Sequence, residues 1–322
     1  MSFKKIIDVA FDMEAPTPKD DSVANYQYFA YRAIDPDARG RIDLQVQDKS
    51  KYFLPCEAYI EVEGEILLGN GNPYPAGTKV GFVNNGVMAL FEGAKYVIDG
   101  NDIESINNNV DIASTILGLA RYSDDYTRSA GPSMMFAKDG YDSANPVQYE
   151  SPVKLAHGAS QDNPGAGYAR PADSFDVLKP PNADYNLGQA IRNGMLKGAR
   201  RHFSCAIPLH HIFGFCRNVR KVIYGAKHTV VLVRRSDDHN AIWRIPADNT
   251  NDATRAADNG KVVISKLILW MPVLTPSLAV SQRLLSWMDT GASSLISWLT
   301  TTTDTLEANQ TEFTWNLPGK RG

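Results

Sequence analysis

Apolar and polar residues alternate with a period of two along much of this chain, and a helical period is rare. In Tyr59-Ile60-Glu61-Val62-Glu63-Gly64-Glu65-Ile66, the apolar Ile60, Val62 and Ile66 alternate with acids. That pattern predicts a half-buried strand with one wet face. The surrounding stretch, residues 26–68, is dense in β-branched and aromatic side chains, as strands are. Next, Val87, Leu90 and Phe91 fall at the spacing of one helical turn, and Lys95 to Ile98 then run extended. Asp99-Gly100-Asn101-Asp102 reads as a hairpin turn with Ile103 and Ile106 on the return strand, because Asp-Gly supplies the positive φ that tight hairpins require. Strands are expected again over Arg201–Leu209, Val222–Arg235 and Lys261–Met271, with a short helical turn over Ile212–Val219. In the second of these, Val222, Tyr224, Ala226, His228, Val230 and Leu232 share one face.

Two segments carry a helical pattern. Over Asn109–Ser123, Asn109 or Asp111 is placed to cap a helix whose apolar stripe is Ile112, Ile116, Leu119 and Ala120. Over Leu278–Leu299 the stripe is Leu284, Met288, Leu295 and Leu299, interrupted by Asp289-Thr290-Gly291. From Ser129 to Gln189 the chain turns to Gly, Pro, Ala, Asp, Asn and Ser, which predicts a long loop insertion in a β scaffold. Residues 1–20 read as an extended arm. Several short strands, long irregular connections and few helices predict an all-β sandwich.

Composition narrows the function classes. With 322 residues, 43% of them hydrophobic, the chain is long enough to hold a core without disulfides or metal. A net charge of −3 excludes a generally basic nucleic-acid coat and any sequence-specific nucleic-acid role resting on one. No apolar run reaches the ~20 residues needed to span a bilayer. The start, MSFKKIIDVAFDMEAP, lacks the pattern of a signal peptide. Cys56, Cys205 and Cys216 are an odd set without metal-ligand spacing, expected as thiols in a reducing cytosolic or nuclear compartment.

Candidate chemistry is sparse. Gathering His202, His210 and His228 into a metal site is one reading of the histidines, but there is no H-E-x-x-H and no His-x-His, and His210-His211 are adjacent. No G-x-S-x-G elbow is present. Gly71 to Lys79 ends in Gly-Thr-Lys rather than the Gly-Lys-Ser/Thr of a phosphate loop. No catalytic residue, metal or cofactor is therefore assigned. A basic run, Lys197, Arg200, Arg201, Arg217, Arg220, Lys221, Arg234 and Arg235, is read in two ways. Arg200, Arg201, Arg217, Arg220 and Lys221 form a contact patch for nucleic acid or an acidic partner, or they are solvated strand ends. The thin aromatic interleaving favours the second.

Two stretches go beyond composition. Residues 82–108, with Asn84, Asn85, Leu90, Phe91 and Gly100, and residues 205–244 resemble segments of double-jelly-roll major capsid proteins. The type is that of Polinton/Maverick and adintovirus-like DNA viruses and of capsid-like genes in invertebrate genomes. In the second stretch the matching residues are Ile207-Pro208-Leu209, Phe213-Gly214, Val222, Tyr224-Gly225 and Leu232, Arg234, Ser236 and Asp237. Residues 260–272 resemble the strand that closes the first jelly roll. The resemblance implies a jelly-roll β-sandwich over residues 21–275, carrying the 129–189 insertion as a tower or inter-subunit loop. It further implies a linker helix and the first strand of a second jelly roll over residues 276–322, that strand being Glu312–Leu317.

The implied function is that of a capsid subunit forming homotrimeric capsomers of an icosahedral shell. Its partners would be copies of itself, minor capsid proteins, and a second polypeptide or neighbouring subunit that completes the second jelly roll. It would assemble in the host cytoplasm or nucleus and reside in the virion. A lectin-like ligand-binding sandwich is the alternative that the residues leave open, since sandwich folds host many roles.

Overall fold

A computed structural model of the chain describes residues 22–75, 79–138, 187–245, 260–289 and 296–300. The expected arm, most of the expected insertion and the expected strand Glu312–Leu317 lie outside the described residues. The strands are β1 Val23–Arg32, β2 Gly40–Val46, β3 Tyr52–Phe53, β4 Tyr59–Leu67, β5 Lys79–Phe82 and β6 Phe91–Ile98. They continue with β7 Asn101–Ile106, β8 His202–Pro208, β9 Ile223–Tyr224, β10 His228–Arg234, β11 Ile242–Ile245 and β12 Lys261–Pro276.

One sheet runs β1-β12-β4-β8, with β3 also pairing to β12 and carrying β9; the other runs β2-β10-β6-β7. All of these pairings are antiparallel. Each sheet alternates strands from the two ends of the domain: Arg32 pairs with Ile268 and Gly40 with Arg234. Two antiparallel sheets interleaved in this way, one of six strands and one of four, are a jelly-roll β-sandwich. β5 and β11 form a separate two-stranded ribbon.

The core lies between the sheets. β4 buries Ile60, Val62 and Ile66 and leaves Glu61, Glu63 and Glu65 on the half-wet face, the period of two read from the sequence. Facing it, β10 buries Val230 and Leu232, β6 buries Ala94 and Tyr96, and β2 buries Leu44 and Val46. Gly64 marks a tight point. A Cβ there would lie 2.3 Å from the Val263 carbonyl oxygen and 2.9 Å from the Phe203 ring. β12 carries an extra residue opposite, the pairing jumping between Ile264 and Lys266, so a bulge and a glycine together let Phe203 into the core. The β6–β7 turn is the expected one: Asp99 and Gly100 have φ of 49° and 85°, the positive pair of a tight hairpin.

Several expectations differ from the structure. The Val222–Arg235 segment is not one strand. Gly225, at φ 77°, breaks it, and the first part leaves to pair with β3. Val222 and Tyr224 are consequently exposed, while Ala226, His228, Val230 and Leu232 are buried. The expected first helix forms as α1 Val110–Arg121, followed by α2 Asp124–Ser129. Its apolar stripe nonetheless faces outward, with Ile112, Ile116 and Leu119 at 50%, 61% and 47% exposure. The face that packs is Val110, Ala113, Ser114 and Gly118. A Cβ on Gly118 would stand 2.7 Å from the Phe136 ring, so small residues, not large ones, set this contact. Asn109 does occupy the N-cap position, at φ 54°, but its side chain makes no cap hydrogen bond.

The Gly/Pro-rich stretch begins inside the packed domain: Gly131–Met134 is a 3₁₀ turn, and Met134, Met135, Phe136 and Ala137 are buried. Three further helices are α3 Leu187–Gly194, α4 Leu209–Ile212 and α5 Gly214–Asn218. The late helix, α6 Leu278–Asp289, stops before the expected Leu299, which is exposed. Instead, Trp298 sets its ring edge-on to Phe215, with centroids 5.3 Å apart.

A buried ionic cluster fastens one end of the sandwich. The Arg234 guanidinium, fully buried at the end of β10, lies 2.7 Å from Asp238. It also donates to the carbonyls of Leu90 at 3.0 Å and Val262 at 3.2 Å. Asp238 accepts both Arg39 terminal nitrogens, at 3.0 and 2.9 Å, and the Val262 N–H at 2.9 Å. Burial works against the carboxylate, yet these donors hold its pKa below the usual carboxylate value. Asp238→Asn leaves buried Arg234 with only the more distant Asp37 carboxylate, 4.0 Å away, as counter-charge, and should cost about 3 kcal/mol of unfolding free energy in urea titrations. The exposed neighbour Asp237→Asn should change it by less than about 0.5 kcal/mol.

Candidate functional site

The two segments singled out in the sequence lie side by side. β10 pairs with β6 from Arg234 on Phe91 to His228 on Ile98, and β11 pairs with β5. Most of their marked residues hold strand ends and corners. Asn84 Oδ1 accepts the Ala137 N–H at 3.0 Å. Asn85 is buried at φ 58° and donates to Ser114 Oγ at 2.8 Å and Thr115 Oγ1 at 3.0 Å. Leu90 and Phe91 are fully buried, and Gly100 forms the hairpin turn. Pro208 precedes α4, and buried Phe213 precedes α5. The Gly214 and Phe215 N–H groups donate to the two oxygens of buried Glu104 at 3.0 and 2.8 Å. A Cβ on Gly214 would lie 1.7 Å from the Leu299 carbonyl oxygen. Tyr224 stacks on Tyr52 beside Gly225, with ring centroids 4.4 Å apart. Ser236 and Asp237 are exposed. The buried acid is Asp238, one residue beyond the marked motif, and its matching parity with Arg234 is the only cue the sequence held.

The histidines do not converge. His202 Nδ1 lies 2.7 Å from the Gly64 carbonyl, His210 and His211 sit on α4, and His228 Nδ1 lies 2.9 Å from the Tyr96 hydroxyl on the other sheet. Among the described residues, no three His, Cys, Asp or Glu side chains are grouped to hold a metal ion. Burial pushes the Cys205 and Cys216 thiols well up, the direction opposite to an activated nucleophile.

The basic run is divided between the two ends of β8. Arg200 pairs with Glu65 at 2.7 Å, and Arg201 follows in the turn before the strand. Arg217, Arg220 and Lys221 follow the opposite end of β8, about 20 Å away at strand rise.

An aromatic strip crosses the outer face of the first sheet. Tyr26 and Tyr28 on β1 meet at 5.7 Å between ring centroids, Tyr28 meets Tyr59 at 5.6 Å, and Tyr59 stacks on Trp270 at 6.3 Å. Glu61 fixes the strip from below, accepting Trp270 Nε1 at 2.6 Å and Lys266 Nζ at 2.7 Å. Among the described residues β1 is paired on one side only, with β12. Sequence reasoning did not find this strip, because its members come from three strands that only the sheet brings together.

No family model matches the chain, and no curated protein does. Among solved structures it is similar to the Faustovirus major capsid protein, over 89% of this chain and 60% of that one, with 11% identity and a TM-score of 0.48. It is similar to a chain of the Sputnik virophage over 80% of its length and 49% of that chain, with 12% identity and a TM-score of 0.46. A third is the mavirus major capsid protein, over 82% and 50%, with 13% identity and a TM-score of 0.41. The likeness is to viral capsid structures. The chain spans about half the length of these structures.

Two buried histidines make the fold acid-sensitive. Burial lowers His211 from 6.5 to about 3, with His210 and Arg217 adding to the effect. Burial lowers His228 to about 4, against a small opposing pull from Asp99. Below pH 6.5 the unfolded chain binds protons that the folded one refuses, so stability is lost as pH falls from 6.5 toward 4. Each histidine contributes on the order of 2 kcal/mol to that loss by pH 4.5. Urea midpoints at pH 7 and pH 4.5 should show it, and His228→Gln should shrink the difference.

Proposed function

We propose that this chain is a structural subunit of a viral capsid, a jelly-roll domain that assembles with copies of itself into homotrimeric capsomers of an icosahedral shell and resides in the virion. The observation that carries the reading is the pairing of β10 on β6 and of β11 on β5. It joins the two sequence segments that resemble double-jelly-roll capsid proteins, once in the four-stranded sheet and once in the separate ribbon. Their marked polar residues are occupied with carbonyls, caps and turns, which fits a building block. A shell protein needs complementary surfaces rather than a reactive centre.

The aromatic strip beside the β1 edge supports self-contact, since protein interfaces are enriched in Tyr and Trp. Electron microscopy and sedimentation of the purified full chain should show trimers or regular shells. Tyr26→Lys combined with Tyr28→Lys should weaken association at least about tenfold while leaving the urea midpoint nearly unchanged. A featureless monomer at high concentration, indifferent to the double substitution, overturns the reading and favours a ligand-binding sandwich.

A further inference from the structure

At the corner where the end of α1 meets α4 and α5 lies a cavity of about 170 Å³, with Arg121, Tyr122, His210, His211 and Arg217 in its lining. Its charge is one-sided. Arg217 is half-buried, and its Nε donates to the His210 carbonyl at 3.1 Å, which fixes the guanidinium at the cavity wall. The Tyr122 hydroxyl lies 2.9 Å from His211 Nδ1 and the two rings stack, so the polar wall is held rigidly. Glu104 is the acid close enough to act on Arg217, but both of its oxygens are taken by the N–H groups of Gly214 and Phe215. Among the described residues no carboxylate lies within ion-pair distance of Arg121, Arg217 or Arg220. Burial, and then the neighbouring Arg121, lower the Arg217 pKa.

Arg121 alone would need no explanation, because a cation in the last turn of a helix complements its dipole. Arg217 is different: a second guanidinium, partly desolvated, lines the same cavity as the first and is near enough to be disfavoured by its charge. Like charges in a partly buried setting repel strongly enough to demand compensation. Two guanidinium forks lining one small space offer the donors that a tetrahedral oxyanion accepts. The α1 C-terminus contributes only about half a negative charge, and the Glu104 carboxylate acts on Arg217 from beyond ion-pair distance, against two full positive charges. The volume is below the ~300 Å³ at which pockets begin to hold drug-sized ligands, so it suits a single phosphoryl group.

We propose that this cavity is a binding site for a small phosphate-type anion, inorganic phosphate or a free phosphate monoester, gripped between Arg121 and Arg217. The site is independent of the capsid reading. Calorimetry and thermal melting of the full chain with inorganic phosphate, against sodium chloride at matched ionic strength, test it. The expected result is saturable binding with a rise in the thermal midpoint, weakened at least about tenfold by Arg121→Gln and by Arg217→Gln. Arg200→Gln, whose guanidinium is already paired with Glu65, should bind phosphate as the native chain does. If Arg217→Gln fails to fold, the exposed Arg121→Gln decides the matter. Binding no stronger than matched chloride, equal binding in Arg121→Gln, or binding of a single-stranded oligonucleotide without binding of inorganic phosphate overturns the proposal.

Discussion

A guanidinium with no solvent access needs a facing carboxylate to offset the cost of burying its charge, and in this protein that condition joins three distant parts of the chain. Arg234 ends β10, Asp238 follows it, and Arg39 precedes β2. The same Asp238 takes the Val262 N–H near the start of β12, and Arg234 takes the carbonyls of Leu90 and Val262. The cluster therefore ties the second sheet to the first at one end. Removing Asp238 leaves the buried Arg234 charge facing only the more distant Asp37, a costly loss in a desolvated site. Asp37 extends the arrangement by accepting the Ile264 N–H at 3.0 Å, next to the bulge that sets the register of β12.

The topology makes such a fastening necessary. β1 finds its partner more than two hundred residues later in the chain, and each sheet draws strands from both halves. Pairings of that separation must overcome loop-closure entropy before their contacts repay it. Close approach is then arranged with small residues rather than large ones: Gly64 admits Phe203, Gly118 receives the Phe136 ring, and Gly214 lies against the Leu299 backbone. These contacts explain why α1 packs through Ala113, Ser114 and Gly118 while its largest apolar side chains remain at the surface.

Polar chemistry in this protein falls into two kinds. Inside, Asn85, Glu104, Arg234 and Asp238 are consumed by backbone groups and helix ends. Outside, groups are left to meet something else: the tyrosine and tryptophan strip on the first sheet, and the two arginines at the end of α1 and on α5. The first kind builds a rigid brick and the second gives it faces. The buried histidines also tie the stability of the fold to pH.

The strands β4, β6, β7 and β12, the Asp99-Gly100 turn and the sandwich class were legible in the sequence, because alternation and turn chemistry are local properties. Residues 82–108 and residues 205–244 also stood out in the sequence, although only the sheet makes them neighbours. Three matters were decided only in three dimensions. The facing of α1 depended on a ring from residue 136 that no helical period encodes. The break at Gly225 depended on β3 offering a competing partner. The separation of the basic run depended on which end of β8 each residue reached, and the placing of Arg121 and Arg217 in one cavity lining on where α1 ends against α4 and α5. Periodicity specifies which side of an element is apolar, but what that side meets is fixed by contacts far away along the chain, and here those contacts chose small residues and buried charges over the obvious stripes.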